Sequence, residues 1–322
     1  MIDLLKKNGK FFKANLHCHT VNSDGKMTPE QVKAHYKANG YSIVAFTDHS
    51  KFIYHKNLDD KDFLTIGGFE ADFNFYGKDG TATRTRTCHL NFYAKNPETA
   101  IVLPQNKTYN IGNINDYIKK MAKEGWLCTL NHPEWSQQPT EDVNAIQGIT
   151  AMEVYNHGTE VLYNNGYTQS YFRYYIANGN RIYSVATDDN HCSLNEKGEV
   201  PFDDDSCGGY INISMPSLTY ENFIDAFENG RFYPSTGVEI KELYIDENTD
   251  ELVIECSPVQ TVIIKGTTCS SRGVTRICAK GNDVTIARIS MSGIREKYPH
   301  FTVELRTTDG KIAYSQPYYL DK

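Results

Sequence analysis

Three short elements in succession constrain this chain more than any other feature. A strand runs into Asn15-Leu16-His17-Cys18-His19. A helix opens at Thr28-Pro29-Glu30-Gln31 and ends at Gly40, and a second apolar strand spans residues 41–47. Thr28 suits an N-cap, Pro29 a first turn, Gln31 the return bond of a capping box, and Gly40 the C-terminal cap. Strand, helix and strand on short connections form a βαβ unit, and such units build parallel sheets.

The pattern recurs along the chain. Residues 63–66 lead through Gly67-Gly68 to Phe69-Glu70, and residues 87–93 alternate around His89. Ile114, Tyr117, Ile118 and Met121 give residues 113–123 a helical period. Residues 126–130 run into Asn131-His132-Pro133, and residues 149–155 form a strand carrying Glu153. A helix over 167–177 precedes a strand over 182–186, which enters Thr187-Asp188-Asp189-Asn190-His191. A strand at 210–213 and a helix at 219–228 complete an α/β unit.

Chemistry-bearing residues gather where these strands give way to loops: His19, His49, Glu70, His132, and Asp189 with His191. In β/α barrels that end of the sheet carries the active site. Strand alternation puts His17 and His19 on one face, where two imidazoles can share one metal ion. Asp24 follows in a turn tightened by Ser23 and Gly25.

After Gly237 the texture changes to short alternating segments separated by turn residues such as Asp309-Gly310, with no helical period in view. Residues 238–322 therefore read as a small immunoglobulin-like all-β sandwich, accessory to a larger unit over 1–237.

The formal net charge of −7 argues against a surface built to coat nucleic acid or an anionic membrane. No apolar run approaches a membrane span. The first seven residues lack the apolar core of a signal peptide. The eight cysteines form no Cys-x-x-Cys pair, so reduced thiols in a cytoplasmic protein are expected.

Taken in order, His17-Cys18-His19-Thr20, Ser23-Asp24-Gly25, Thr47-Asp48-His49, Glu70, His89, Asn131-His132-Pro133 and Asp189-Asn190-His191 resemble the motifs of the PHP (polymerase and histidinol phosphatase) superfamily. The stretch from Arg231 to Gly237 before a β domain is similar to the branch of carbaryl-hydrolase-like metallohydrolases. The resemblance implies a distorted (β/α)7 barrel with two or three divalent ions, drawn from Zn, Mn, Fe and Mg. It implies that His17, His19, Glu70 and Asp189 hold the first ion, and that Glu70 bridges to a second completed by His89 and His132. Asp24, His49 and His191 would hold the third. Many relatives have histidine where this chain has Asp24, and a carboxylate there favours harder cations.

A water between two such ions loses its proton near neutral pH and becomes a nucleophile. The expected activity is thus a metal-dependent phosphoesterase, a phosphatase or nuclease on a small nucleotide-like substrate. Glu70, Asp189 and His157 are the candidate catalytic residues. Arg84, Arg86 and His157 are the candidate phosphate-binding residues, because arginine presents a planar fork to phosphate. If the strand of His89 extends back that far, Arg84 and Arg86 share the face of Cys88, opposite His89. Asp48 and Asp188 read as carboxylates that orient ligands, and Cys18, Cys88 and Cys192 as core residues pointing away from the site. His35, His55 and His300 read as ordinary surface or packing residues. Two alternatives stay open: hydrolysis of a carboxylic ester, carbamate or amide at the same site, and a non-catalytic binding module. The expected partner is a small phosphorylated substrate, without membrane or stable nucleic acid, and a homo-oligomer is compatible with the sequence.

Overall fold

The structure is a computed structural model that describes residues 1–77, 83–99, 103–104, 106–192, 204–266 and 274–320. In chain order the first part contains β1 (Ile2–Asp3), β2 (Lys10–Asn15), α1 (Pro29–Ala38), β3 (Ile43–Phe46), β4 (Leu64–Tyr76) and β5 (Arg84–Ala94). There follow α2 (Ile111–Lys123), β6 (Trp126–Leu130), α3 (Thr140–Ala145), β7 (Ala151–Asn156), α4 (His157–Tyr163), α5 (Gln169–Ala177) and β8 (Tyr183–Thr187). β9 (Tyr210–Met215), α6 (Tyr220–Glu228) and β10 (Phe232–Ser235) lead to β11 (Ile240–Asp246), β12 (Glu251–Val259), β13 (Thr261–Lys265) and β14 (Val274–Cys278). The chain closes with β15 (Val284–Ser290), α7 (Met291–Lys297), β16 (His300–Arg306), β17 (Ile312–Tyr314) and β18 (Tyr318–Tyr319).

Local chemistry sets α1 as the sequence implies. Thr28 accepts from the Gln31 amide, Gln31 returns the bond, and Pro29 occupies the first turn. α1 buries Val32 and Tyr36, and the Tyr36 hydroxyl donates to Asp188 at 2.8 Å.

Among the described residues the strands form a four-stranded sheet, β1-β11-β12-β15, and a fourteen-stranded mixed sheet. In the large sheet β2, β3 and β4 are parallel neighbours, as are β6, β7 and β8. Between them β5 runs antiparallel to both β4 and β6. Gly67-Gly68 does not interrupt the strand: β4 is continuous for 13 residues, so Glu70 lies within a strand rather than where one gives way to a loop. Pairing with β5 supplies the hydrogen bonds that make a loop there unnecessary. The ladder stops at β8, but a parallel bridge between Cys18 and Asn190 brings the two flanks of this part together, with the Asp189 amide donating to the His17 carbonyl.

The C-terminal strands do not stand in a ladder of their own. β10 pairs with both β9 and β17, which carries the large sheet past residue 237, and β1 pairs with β11. One apolar cluster, including Leu243, Ile254, Val262 and Leu305, lies between strands of the two sheets. α7 is a helix where only alternation was expected. Among the described residues no helix is long and apolar enough to cross a membrane.

Gln316 joins the C-terminal segment to β8. Its buried side chain accepts from the Ser184 amide at 2.7 Å and donates to the Ser184 and Phe232 carbonyls. It thus serves as a neighbour to the last strand of the ladder. Gln316→Leu should lower stability by about 2–4 kcal/mol in urea unfolding, because buried backbone groups lose their partners. An unchanged midpoint and slope would show that the clamp contributes nothing.

Candidate metal centre

All nine sequence-proposed ligands converge. Beyond β2 the chain stays extended, and His17 and His19 turn their rings to the same side, with Nε2 atoms 3.1 Å apart. Gly25 lets the next turn fold back on this segment, since a Cβ there would lie 2.5 Å from the His19 carbonyl oxygen. Asp48 accepts from the Thr20 amide and from the Thr20 and Ser23 hydroxyls, fixing the loop that delivers Asp24. The β3 end supplies His49, β4 supplies Glu70 and β5 supplies His89. The ends of β6 and β8 supply His132, Asp189 and His191.

Glu70 is the centre of the cluster. Its Oε1 lies 3.3 Å from His17 Nε2, 3.0 Å from His89 Nδ1 and 3.6 Å from His132 Nε2. Its Oε2 lies 2.9 Å from His49 Nδ1 and 3.5 Å from His19 Nε2. Asp189 Oδ1 is 3.1 Å from Nε2 of both His17 and His19. Asp24 Oδ2 is 3.6 Å from His49 Nε2 and 3.5 Å from His191 Nε2. Four overlapping groups have the spacing of metal ligands: His19-Asp24-His49-His191, His17-His19-Asp189, His17-Glu70-His132 and His49-Glu70-His89. His89 and His132 thus join Glu70 in two different groups rather than in one.

These donors fit divalent cations. Ligands about 2.1 Å from one ion in a tetrahedron stand about 3.4 Å from each other, close to the spacings here. His89 Nε2 is buried without a hydrogen-bond partner, as a ligand atom would be. The charges fit as well. Burial would raise the Glu70 carboxyl, but His89, His49 and His17 hold it well below the usual carboxylate range. Asp189 and Asp24 are lowered against burial by their histidine neighbours. Burial pushes His19 down to about 4, helped by His191 and His49 and opposed by Asp189. His191 is raised to about 9, because Asp24 and Asp189 outweigh its burial.

His132 (φ 25°) and Asp189 (φ 53°) adopt left-handed backbone that non-glycine residues disfavour. Strain of this kind concentrates at functional sites.

Behind the ligands stands Glu153, to which the sequence reading gave no role. Its Oε1 accepts from Thr187 Oγ1 at 2.6 Å and lies 2.8 Å from His17 Nδ1. Its Oε2 accepts from the His132 amide and from Asn156 Nδ2. A carboxylate between the apolar Met152 and Val154 of an interior strand was the available signal, because buried charges need partners. Asp188, beside the cluster, accepts from Tyr36 and from the Cys207, Gly208 and Gly209 amides. Burial pushes its carboxyl up to about 7.

The cluster floors a cavity of about 500 Å³, and Asp72, Arg84, Trp135, Leu162 and Tyr163 are on its wall. Arg84 and Arg86 part company. β5 carries an extra residue at Thr85, so Arg86 pairs with Phe75 while Arg84 pairs with Tyr76. Adjacent β4 residues face opposite ways, and the bulge therefore turns Arg84 to the Glu70 and His89 face, overturning the expectation that both arginines point away. Arg86 keeps the other face and pairs with Asp142 at 3.2 Å. Residues 81 and 82 of that segment lie outside the described residues. His157 is not brought to the cavity: its Nδ1 is 2.8 Å from the Tyr155 hydroxyl, and its ring packs against Gly208, where a Cβ would clash at 2.2 Å. Cys18, Cys88 and Cys192 are buried core residues.

Glu153→Gln should weaken metal affinity about ten- to a hundredfold in chelator competition, since it removes the carboxylate that orients His17 and the His132 backbone. His17→Ala should lose most of the metal carried by protein purified without chelator. Equal affinity in Glu153→Gln would refute the orienting role.

No curated protein matches the chain. One similar solved structure is a two-domain protein containing a predicted PHP-like metal-dependent phosphoesterase from Bacteroides vulgatus, at 14% identity and a TM-score of 0.47, covering 99% of this chain and 97% of that one. Another is an amidohydrolase from Chromobacterium violaceum with bound sulfate and no metal, at 12% identity and a TM-score of 0.38, covering 59% of this chain and 92% of that one. The PHP domain model matches residues 15–263, about three quarters of the chain, and the protein belongs to the PHP family.

Proposed function

We propose that this protein is a metal-dependent hydrolase of small phosphoesters, with two or three divalent ions drawn from Zn, Mn, Fe and Mg. The observation that supports it is a cluster of nine imidazole and carboxylate candidate ligands, seven of which line a small-molecule cavity whose wall carries Arg84. Divalent ions held by these residues would supply an acidified water and charge neutralisation at phosphoryl oxygens. The protein's own groups do the rest. Glu70, reached by histidines on both oxygens, keeps two ligand groups in register. Asp189 joins the His17 and His19 group to its loop. Arg84 grips the phosphate by its planar fork. Arg86, committed to Asp142, and His157, committed to Tyr155, are left out of substrate binding in this reading.

The catalytic unit is proposed to be a distorted seven-stranded barrel over residues 1–237, with the Cys18–Asn190 bridge standing in for its last ladder. Residues 238–322 then form an accessory, mostly β layer.

Side-by-side assays of p-nitrophenyl phosphate and p-nitrophenyl acetate with added Mn²⁺ test the reaction. Turnover of the phosphate is expected. Turnover of the acetate alone would replace this reading by a carboxylic ester or carbamate hydrolase. Arg84→Ala should lower kcat/KM by about ten- to a thousandfold at unchanged metal content, a loss of about 1.4–4 kcal/mol. Arg86→Ala should stay within about threefold. The reverse pattern would return the phosphate role to Arg86.

A further inference from the structure

The wall above the ligand floor has a different chemistry. Trp135 lies in the turn after His132-Pro133 and is half-buried. Its indole packs edge-on to His132 (centroids 4.9 Å, 82°) and to His89 (5.6 Å, 64°). Two candidate metal ligands therefore hold the ring in place. The Arg84 guanidinium lies over the indole, 5.5 Å from the centroid, and both side chains line the cavity; a phosphate that draws Arg84 to itself would free that face for a ligand ring. Beside it, at the end of α4, Leu162 and Tyr163 line the same cavity while 52% and 59% exposed. The Tyr163 ring is 6.2 Å from Trp135. Large apolar side chains left open at the mouth of a polar cavity mark a surface that a ligand covers.

We infer that the substrate is a phosphoester whose alcohol half is a planar aromatic or heteroaromatic group. The ring stacks on Trp135 and is flanked by Leu162 and Tyr163, while Arg84 takes the phosphate. The anionic half of this assignment rests on the phosphoesterase reading; the ring subsite rests on the wall alone. Trp135 is a specificity-determining residue in this arrangement. The bulge at Thr85 serves the same end, because it brings a cation to an edge of the cavity that also has an aromatic platform.

The test is binding, with phosphonates that cannot be hydrolysed. Phenylphosphonate and methylphosphonate are titrated into the Mn²⁺-loaded full chain by calorimetry and by tryptophan emission. Trp126 is only 2% exposed, so a change in emission on binding reports Trp135. Phenylphosphonate should bind about ten- to a hundredfold more tightly, the range that ring stacking supplies. Trp135→Leu should remove that preference and leave methylphosphonate affinity and metal content within about threefold. If Trp135→Leu disturbs the ligand histidines and loses metal, the exposed Tyr163→Ser decides, and it should cut the preference by about threefold or more. Equal affinity for the two phosphonates, binding of neither, or a preference that survives in the deciding variant overturns the inference. The two readings fail separately. Hydrolysis of p-nitrophenyl phosphate without aryl preference retracts the subsite and keeps the reaction. Trp135-dependent aryl preference without hydrolysis retracts the reaction and keeps the subsite.

Discussion

A carboxylate with no access to water sits at the centre of this molecule, and the placing of the surrounding strands serves it. Glu70 is 1% exposed, and an ion taken that far from water costs several kcal/mol, on the order of the penalty for any buried charge, unless compensated. Compensation comes from His17, His19, His49, His89 and His132, which all approach it within 4 Å. Asn131 Nδ2 adds a bond to Oε1. These partners come from segments far apart in sequence, so the site exists only once the large sheet is assembled. Burial, helped by the crowding of neighbouring imidazoles, lowers His19 and His89 against their carboxylate neighbours. Such a cluster is mutually compensated, and a divalent cation bound there would displace protons from its imidazoles.

Much of this was legible in the sequence because metal ligation uses few residue types in strict order. His17, His19, Asp24, His49, Glu70, His89, His132, Asp189 and His191 were all visible as chemistry-bearing residues, several of them where strands give way to loops, and the structure gathers them. The capping box at Thr28 and Gln31 and the period of α2 were legible for local reasons. What stayed hidden depended on pairing across strands. Gly67-Gly68 looks like a turn in isolation, yet β5 makes it ordinary strand. The bulge at Thr85 has no signature in a run of alternating threonines and arginines, and it alone decides which arginine faces the cavity. Glu153 was noticed but unassigned, since its four partners lie on three other segments and its own strand. His157 followed Tyr155-Asn156 at a strand end, as a substrate ligand would, but the Tyr155 hydroxyl and close approach of Gly208 claim it.

The C-terminal third shows the same limit from the other side. Alternation correctly marks most of its strands, but alternation does not say which sheet a strand joins. β17 pairs with β10 and β16, so the large sheet crosses the place where the sequence changes texture. β1 lies against β11, which ties the first residues of the chain to the last layer. Gln316 then serves the edge of β8 with side-chain amide groups rather than with a strand. Ser184 of β8 thus finds partners in a segment more than 130 residues away, although β8 leads directly into Asp189 and His191.

That placement links the rigidity of the layer to the geometry of the ligands. Asp189 leaves β8 in a left-handed conformation, and His132 leaves β6 in another. Neither backbone would persist in a free loop at an acceptable free-energy cost. Asp189 is held by its amide bond to the His17 carbonyl and by Asn156 on its carboxylate. His132 is held by its amide bond to Glu153 and by Ser136 on its ring. Both restraints run back to β7, whose Glu153 and Asn156 are buried between β6 and β8. A parallel strand that is apolar except for two interior polar residues is thus the brace of the centre. Its polar residues are expensive to bury, and they stay satisfied only while the strained loops on either side keep their shape.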